Sequence, residues 1–241
     1  MVVVANPALE RRLRSEVAGQ VLFDGFSRGR YATDASIYQM MPVGVVVPRT
    51  LSDVKAAIAA ARDDGTPVLA RGGGTSQCGQ TVNTALVIDT SKHLNGILEL
   101  DVANRRCVVE PGIVLDELNR ALKQHGLWFP VDVSTASRAT IGGMAGNNSC
   151  GGRSIRYGTM RDNVLSIDAV LADGSEAHFG RLDHARAPLL ATDMLELGEH
   201  YAGEIEKRFP KVLRRVGGYN IDALVPANDE INLAHLLVGS E

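Results

Sequence analysis

The sequence predicts an α+β fold, in which a small parallel βαβ subdomain is followed by a larger subdomain of mixed or antiparallel sheet with helices. Three observations predict it. First, Gly44-Val45-Val46-Val47-Pro48 is a β-branched run closed by proline, and Pro67-Val68-Leu69-Ala70 is a second short apolar run. Between them Leu51, Val54, Ile58 and Ala61 recur at helical spacing, with Thr50 at the N-cap, Asp53 reaching back as in a capping box and Gly65 as the stop. Second, the chain then changes character: residues 85–88, 96–100 and 106–110 are short strands parted by turn residues. Third, residues 164–170 alternate as a strand does, and Asp173-Gly174 turns them back into Ala177-His178-Phe179.

The remaining elements follow in order. Residues 7–17 predict a charged, exposed helix, and residues 23–38 an irregular stretch rich in Gly, Asp and aromatics. Pro111-Gly112 breaks the third short strand. A helix follows over residues 113–125, with Val114, Leu118, Ala121, Leu115 and Leu122 on its apolar face and Gly126 as its stop. Trp128-Phe129-Pro130 reads as core rather than as a stacking platform. Residues 192–209 predict a charged helix, and the apolar run from Leu233 to Val238 breaks off at the terminus, which predicts a fragment of a longer chain.

Composition excludes several functions. The chain has 241 residues, 25 basic and 28 acidic, for a net charge of −3, and no Lys/Arg block, so neither nucleic acid nor an anionic membrane is expected as partner. No run approaches the ~18 apolar residues of a membrane span, and the apolar start at residues 1–5 is too short for a signal peptide. Cys78, Cys107 and Cys150 lie far apart with no C-x-x-C pair, which argues against a disulfide scaffold, a zinc site or an iron–sulfur cluster within these residues. The expectation is a soluble, cytoplasmic protein without a metal site. Histidines 93, 125, 178, 184, 200 and 235 show no H-x-H or H-E-x-x-H grouping, and no catalytic residue is assigned.

Two glycine-rich stretches carry the chemistry. In the first, Arg71-Gly72-Gly73-Gly74-Thr75-Ser76-Gln77-Cys78-Gly79-Gln80, glycine lets the backbone take positive φ and lets another group come close. Successive N–H groups of such a loop converge into an anion nest, and the loop leaves the end of a strand where a ligand can reach it. Gly74 and Gly79 with Gln80-Thr81 match the Walker A pattern except for its lysine, replaced by Gln80, so an ATPase is rejected. A G-x-G-x-x-G fingerprint fails too, because Gln77 holds the third glycine position and a strand follows.

The second stretch, residues 131–158, is rich in hydroxyls, amides and glycines and poor in core-forming side chains. It reads as a surface loop or a backbone cradle. Thr140-Ile141-Gly142-Gly143-Met144-Ala145 predicts a short helix whose first-turn N–H groups face a ligand.

Together the two stretches resemble the PCMH-type FAD-binding domain of the vanillyl-alcohol-oxidase superfamily. The motifs are Gly44-Val45-Val46-Val47-Pro48, Arg71 through Ser76 with Gly79-Gln80, Glu110-Pro111-Gly112, Thr140-Ile141-Gly142-Gly143, Arg156-Tyr157-Gly158 and the turn at Asp173-Gly174. Within that superfamily Asn147-Asn148-Ser149-Cys150-Gly151-Gly152-Arg153-Ser154 looks most like the glycolate oxidase, D-lactate and D-2-hydroxyglutarate dehydrogenase branch.

The resemblance implies an N-terminal extension over residues 1–40 and an FAD-binding domain over 41–241, with subdomains at about 41–85 and 86–241. It implies FAD contacts from Arg71, Gly72, Gly73, Gly74, Thr75, Ser76 and Gln80 on one side. On the other it implies Asp132, Ser134, Thr135, Thr140, Ile141, Gly142, Gly143, Ala145, Asn147, Gly151, Gly152, Tyr157 and Gly158. Many superfamily members attach FAD through a histidine where Thr75 stands here, so FAD is expected to be non-covalent. The substrate is expected to be a D-2-hydroxy acid, with an electron acceptor, and with a cap and iron–sulfur modules elsewhere in a longer chain. The alternatives are a non-catalytic FAD module, or a sugar-lactone oxidase or UDP-N-acetylmuramate reductase on the same cradle.

Overall fold

The computed structural model describes residues 6–182, 188–212, 215–225 and 231–241. The chain packs as two compact units. The first uses the described part of Met1–Phe129 with Thr135–Gly143 and Ala172–Gly174; the second uses Pro130–Ser134, Met144–Leu171 and the described parts of Ser175–Glu241.

The first unit holds helix α1 (Pro7–Glu16), strand β1 (Gln20–Leu22), α2 (Gly25–Arg30), β2 (Gly44–Val47), α3 (Leu51–Asp64), β3 (Val68–Arg71), β4 (Leu86–Asp89), β5 (Ile97–Asp101), β6 (Arg106–Val109) and α4 (Leu115–Lys123). β1 to β4 form one sheet in the order β1-β2-β4-β3, with β1 antiparallel to β2 and both β2 and β3 parallel to β4. The strand at Leu86–Asp89, which the sequence groups with the later short strands, therefore lies between the two strands of the βαβ unit. Burial explains the order. β2 and β4 are buried at every position, as interior strands of a covered sheet must be, whereas β3 at the edge alternates. Tyr31, Val45, Val47 and Val87 form the core on this sheet, with Leu22 and Leu69 packed against it.

α3 begins and ends as the sequence predicts. Thr50 accepts from the Asp53 N–H, and Gly65 takes φ 72°. The reciprocal half of the capping box differs. The Asp53 carboxylate, 4% exposed, accepts from the N–H groups of Arg49 at 2.8 Å and Ala18 at 2.9 Å, and so ties the end of α1 to the start of α3.

β5 and β6 pair antiparallel, and α4 packs Leu118 and Leu122 with Ile113 against Ile97, Leu100 and Val109. Phe129 joins this core as expected, but Trp128 is 42% exposed. α2 lies in the stretch expected to be irregular. Two glycines hide it from propensity, and tertiary contacts supply what propensity lacks: Asp24 caps it and buried Arg28 donates to the Pro42 carbonyl at 2.7 Å.

Helix α5 (Ile141–Asn147) begins in the first unit and ends in the second. The second unit continues with α6 (Ser154–Tyr157), α7 (Met160–Asn163), the antiparallel pair β7 (Ile167–Val170) and β8 (Glu176–Phe179), α8 (Pro188–Arg208) and α9 (Leu233–Leu237). Its core joins Phe179 and Ala177 to Leu224, Leu233, Ala234 and Leu236. Among the described residues no helix is long and apolar enough to cross a membrane. No group of His, Cys, Asp or Glu among them is arranged to hold a metal. His184 lies outside the described residues.

Candidate functional site

The first glycine stretch leaves the C-terminal end of β3, the edge strand of the parallel part of the sheet, where ligands of open α/β folds bind. Its glycines have separate reasons. A Cβ on Gly72 would lie 2.1 Å from Thr140 Oγ1, and one on Gly73 2.3 Å from the Arg138 carbonyl oxygen. Gly74 has φ 63°, and its Cβ would lie 2.6 Å from Arg71 Nη2. Gly79 has φ 83° and faces the Tyr38 ring.

Among the described residues, no protein oxygen accepts from the N–H groups of Gly72, Gly73, Gly74 or Thr75. Four consecutive backbone donors at a strand end form a surface suited to an anion with several oxygens. Gln80 Oε1 is buried and has no donor. A buried amide oxygen left in this state costs about 1–3 kcal/mol unless a ligand or a turned amide satisfies it. The run of donors fits a pyrophosphate, and the orphaned amide oxygen fits a hydroxyl or N–H donor elsewhere on such a cofactor.

Arg71 is engaged elsewhere. Its guanidinium donates to the carbonyls of Thr33 at 2.8 Å, Thr81 at 3.0 Å and Tyr31 at 3.4 Å, and it lies over the Tyr31 ring. Burial lowers its pKa from the ordinary value, opposed by Asp89 and Asp34. The buried Tyr31 hydroxyl donates to Asp89 Oδ2 at 2.7 Å, and burial together with that bond raises the Tyr31 pKa. Burial also pushes the Asp34 carboxyl up, but hydrogen bonds from Ser36 and Thr81 outweigh this and hold it below its ordinary value.

In the second stretch, Thr140 is 1% exposed and caps α5, accepting from the Gly143 N–H at 3.3 Å. The Ile141 N–H donates to the Ile113 carbonyl at 2.9 Å and the Gly142 N–H to the Pro111 carbonyl at 2.8 Å. Protein oxygens thus accept from all three of these first-turn donors. The close crossing explains Gly142, whose Cβ would lie 2.6 Å from Pro111 Cβ. Thr135 belongs to the same unit, where its carbonyl accepts from Arg138 and Ala139.

The other expected residues lie in the second unit. Asp132 Oδ1 accepts from the Arg153 N–H at 3.0 Å, and a Cβ on Gly151 would lie 1.9 Å from the Asp132 carbonyl oxygen. A Cβ on Gly152 would lie 3.8 Å from Asp132 Oδ2. Asn147 Oδ1 accepts from the Ser149 hydroxyl. The Ala145 carbonyl accepts from the Gly239 N–H. Arg156 lies over the Tyr157 ring, and Gly158 has φ 78° with Asp162 Oδ2 where a Cβ would stand. Ser134 belongs to this unit too.

Sequence reasoning missed Tyr31, Asp34, Tyr38 and Asp89 beside the first loop. One signal was present. Asp89 ends an otherwise apolar strand and is 3% exposed, and a carboxylate so placed needs a buried donor.

Comparison with known proteins adds independent findings. Residues 42–180 match the family described as FAD binding domain. A D-2-hydroxyglutarate dehydrogenase of Pseudomonas putida is 37% identical over 246 residues, which cover 97% of this chain and 24% of that protein. The glycolate oxidase subunit GlcD of Bacillus subtilis is 38% identical over 164 residues, 66% of this chain and 35% of that protein. The chain thus spans between a quarter and about a third of the length of these relatives. Among solved structures, an alkyldihydroxyacetonephosphate synthase shares the fold with a TM-score of 0.65 at 21% identity, over 71% of this chain and 34% of that one.

Proposed function

The chain belongs to the family of FAD binding domains, and from that premise we propose that it is the flavin-binding part of an oxidoreductase acting on a D-2-hydroxy acid. The observation that carries the reading is the run of four backbone donors, Gly72, Gly73, Gly74 and Thr75, for which no described protein oxygen is an acceptor. These residues hold the pyrophosphate by dipoles rather than by a lysine. The buried Gln80 amide oxygen, left without a donor, would accept from a hydroxyl or ring N–H of the same cofactor. Bound FAD supplies the acceptor for the hydride leaving the hydroxy-acid Cα.

Thr75 has no imidazole, which supports non-covalent binding. Thr135, Thr140, Ile141, Gly142 and Gly143, with Asp132, Ser134, Ala145, Asn147, Gly151, Gly152, Tyr157 and Gly158, are retained as proposed cofactor contacts on the resemblance. The name of the Pseudomonas putida relative supports a D-2-hydroxy acid substrate, and that of the Bacillus subtilis relative a 2-hydroxy acid. Three free cysteines support a reducing, cytoplasmic setting.

Two measurements test the reading. The purified chain should take up FAD and turn yellow, and acid precipitation should leave the colour in the supernatant; colour in the pellet would overturn the non-covalent assignment. Gln80→Met removes the orphaned amide oxygen at nearly constant volume. It should leave thermal stability unchanged or raised and weaken FAD binding up to about tenfold, the cost of one hydrogen bond from a cofactor hydroxyl or ring N–H. Unchanged affinity would remove Gln80 from the site. A second reading, a binding module without turnover of its own, is favoured by the 24% coverage of the relative. Turnover of D-2-hydroxyglutarate by the 241-residue chain itself would dismiss it.

A further inference from the structure

We propose that Arg71, Tyr31 and Asp89 are positioning residues that hold the glycine loop in the shape that binds the cofactor, acting through residues 31–38 rather than by touching the cofactor. The inference rests on the FAD reading above. Its basis is a set of bonds that all converge on one loop. The Arg71 guanidinium, at the root of the loop, donates to Tyr31 and Thr33 in the preceding segment and to Thr81 just past the far end of the loop. One side chain therefore links both ends of the loop to residues 31–33.

The same segment grips the loop at three further points. The Ala35 N–H donates to the Gly74 carbonyl at 3.1 Å, Thr81 Oγ1 donates to Asp34 Oδ2 at 2.9 Å, and the Tyr38 ring fills the space a Cβ on Gly79 would need. These contacts take up the carbonyl of Gly74 and the ends of the loop. They leave the N–H groups of Gly72, Gly73, Gly74 and Thr75 without a described protein acceptor.

Tyr31 anchors the segment in turn. Tyr31 is 8% exposed, its ring lies under the guanidinium, and its hydroxyl is bound to Asp89 at the end of the interior strand β4. Ser91 donates to the other Asp89 oxygen through both its N–H at 2.9 Å and its hydroxyl at 2.6 Å, so the carboxylate is fixed from two sides. A guanidinium with three carbonyl partners and a ring beneath it is held by the fold, which suits it to shape a loop rather than to follow a ligand.

The test compares FAD affinity with stability in the 241-residue chain. Arg71→Met and Tyr31→Phe should each weaken FAD binding about tenfold or more, the loss that accompanies misplaced hydrogen-bond donors. Arg71→Lys should recover only part, because an ammonium does not reach three carbonyls at once. Val45→Ala, in the core of the same sheet, should lower the melting temperature while leaving affinity unchanged. Tyr31→Phe keeps the ring under the guanidinium, and gives the answer if Arg71→Met does not fold.

Salt separates the two roles of Arg71. A direct charge contact with the pyrophosphate makes binding weaken less with salt once the charge is removed. A positioning role leaves the salt dependence of Arg71→Met equal to that of the parent. A flattened salt dependence, or full affinity in Tyr31→Phe, would overturn the proposal. A parent chain that takes up no FAD would overturn the cofactor reading itself, whatever the variants do.

Discussion

Gly73 lies so close to Arg138 that a Cβ on the glycine would stand 2.3 Å from the Arg138 carbonyl oxygen. The neighbour is backbone, which cannot turn aside as a side chain would. Gly73→Ala should therefore destabilise the chain by about 1–3 kcal/mol, as overpacking does, and weaken FAD binding with it. Gly203, exposed in α8, has nothing within 4 Å of a built Cβ. Gly203→Ala should raise stability by about 0.5–1 kcal/mol through helix propensity alone. Thermal melting of the two variants checks both signs.

Asp53 joins two helices through two backbone donors, Arg49 and Ala18. Asp53→Ala leaves both N–H groups without their acceptor and should cost about 2 kcal/mol in urea unfolding. Asp53→Asn keeps one carbonyl oxygen and should lose about half as much by the same reasoning. Equal losses for both variants would mean that the carboxylate charge, rather than the acceptor geometry, matters at this junction.

Asp222 accepts from two guanidinium groups, Arg161 Nη1 at 3.0 Å and Arg215 Nη2 at 2.6 Å, with all three side chains about a quarter exposed or less. Asp222→Ala leaves two half-buried cations side by side. Solvent screens part of that repulsion, so the expected loss is about 1–2 kcal/mol. Chemical denaturation of the variant, repeated in high salt, should show the deficit shrink.

His235 gives a pH signature. Burial, reinforced by Arg161, lowers its pKa from the ordinary 6.5. The unfolded chain takes up a proton near about 6.5 while the folded chain does not, so protonation favours unfolding as pH falls. The stability of the neutral ring is present above that value and is lost as pH drops below it towards the folded pKa. Urea midpoints between pH 7.5 and 5, values chosen to bracket the ordinary imidazole range of about 6.5, should fall less steeply in His235→Gln.

Much of the fold was legible in the sequence because its signals are local. Thr50 and Gly65 bracket α3 by cap chemistry, Gly126 follows α4 with φ 70°, and Asp173-Gly174 turns β7 into β8. The elements that escaped are those whose stability comes from afar. β1 is three residues long and exists because Gln20, Val21 and Leu22 pair with β2, and α2 holds two glycines in place through Asp24 and the Pro42 carbonyl. The glycine loop was legible as a run of open backbone, yet the segment that grips it was not. Tyr31 and Asp89 stand 58 positions apart in sequence.

Composition along the chain already showed which stretches lack core-forming side chains. The family was legible too, through short local motifs at set spacing. What those backbones face came from packing. It placed Leu86–Asp89 between two strands that the order of the chain sets side by side, since the most continuously apolar strands take the interior. It turned Arg71 inwards to three carbonyls and occupied the first donors of α5 with Pro111 and Ile113. A donor's partner is fixed by which groups packing brings within about 3 Å, and no pattern along the chain carries that distance.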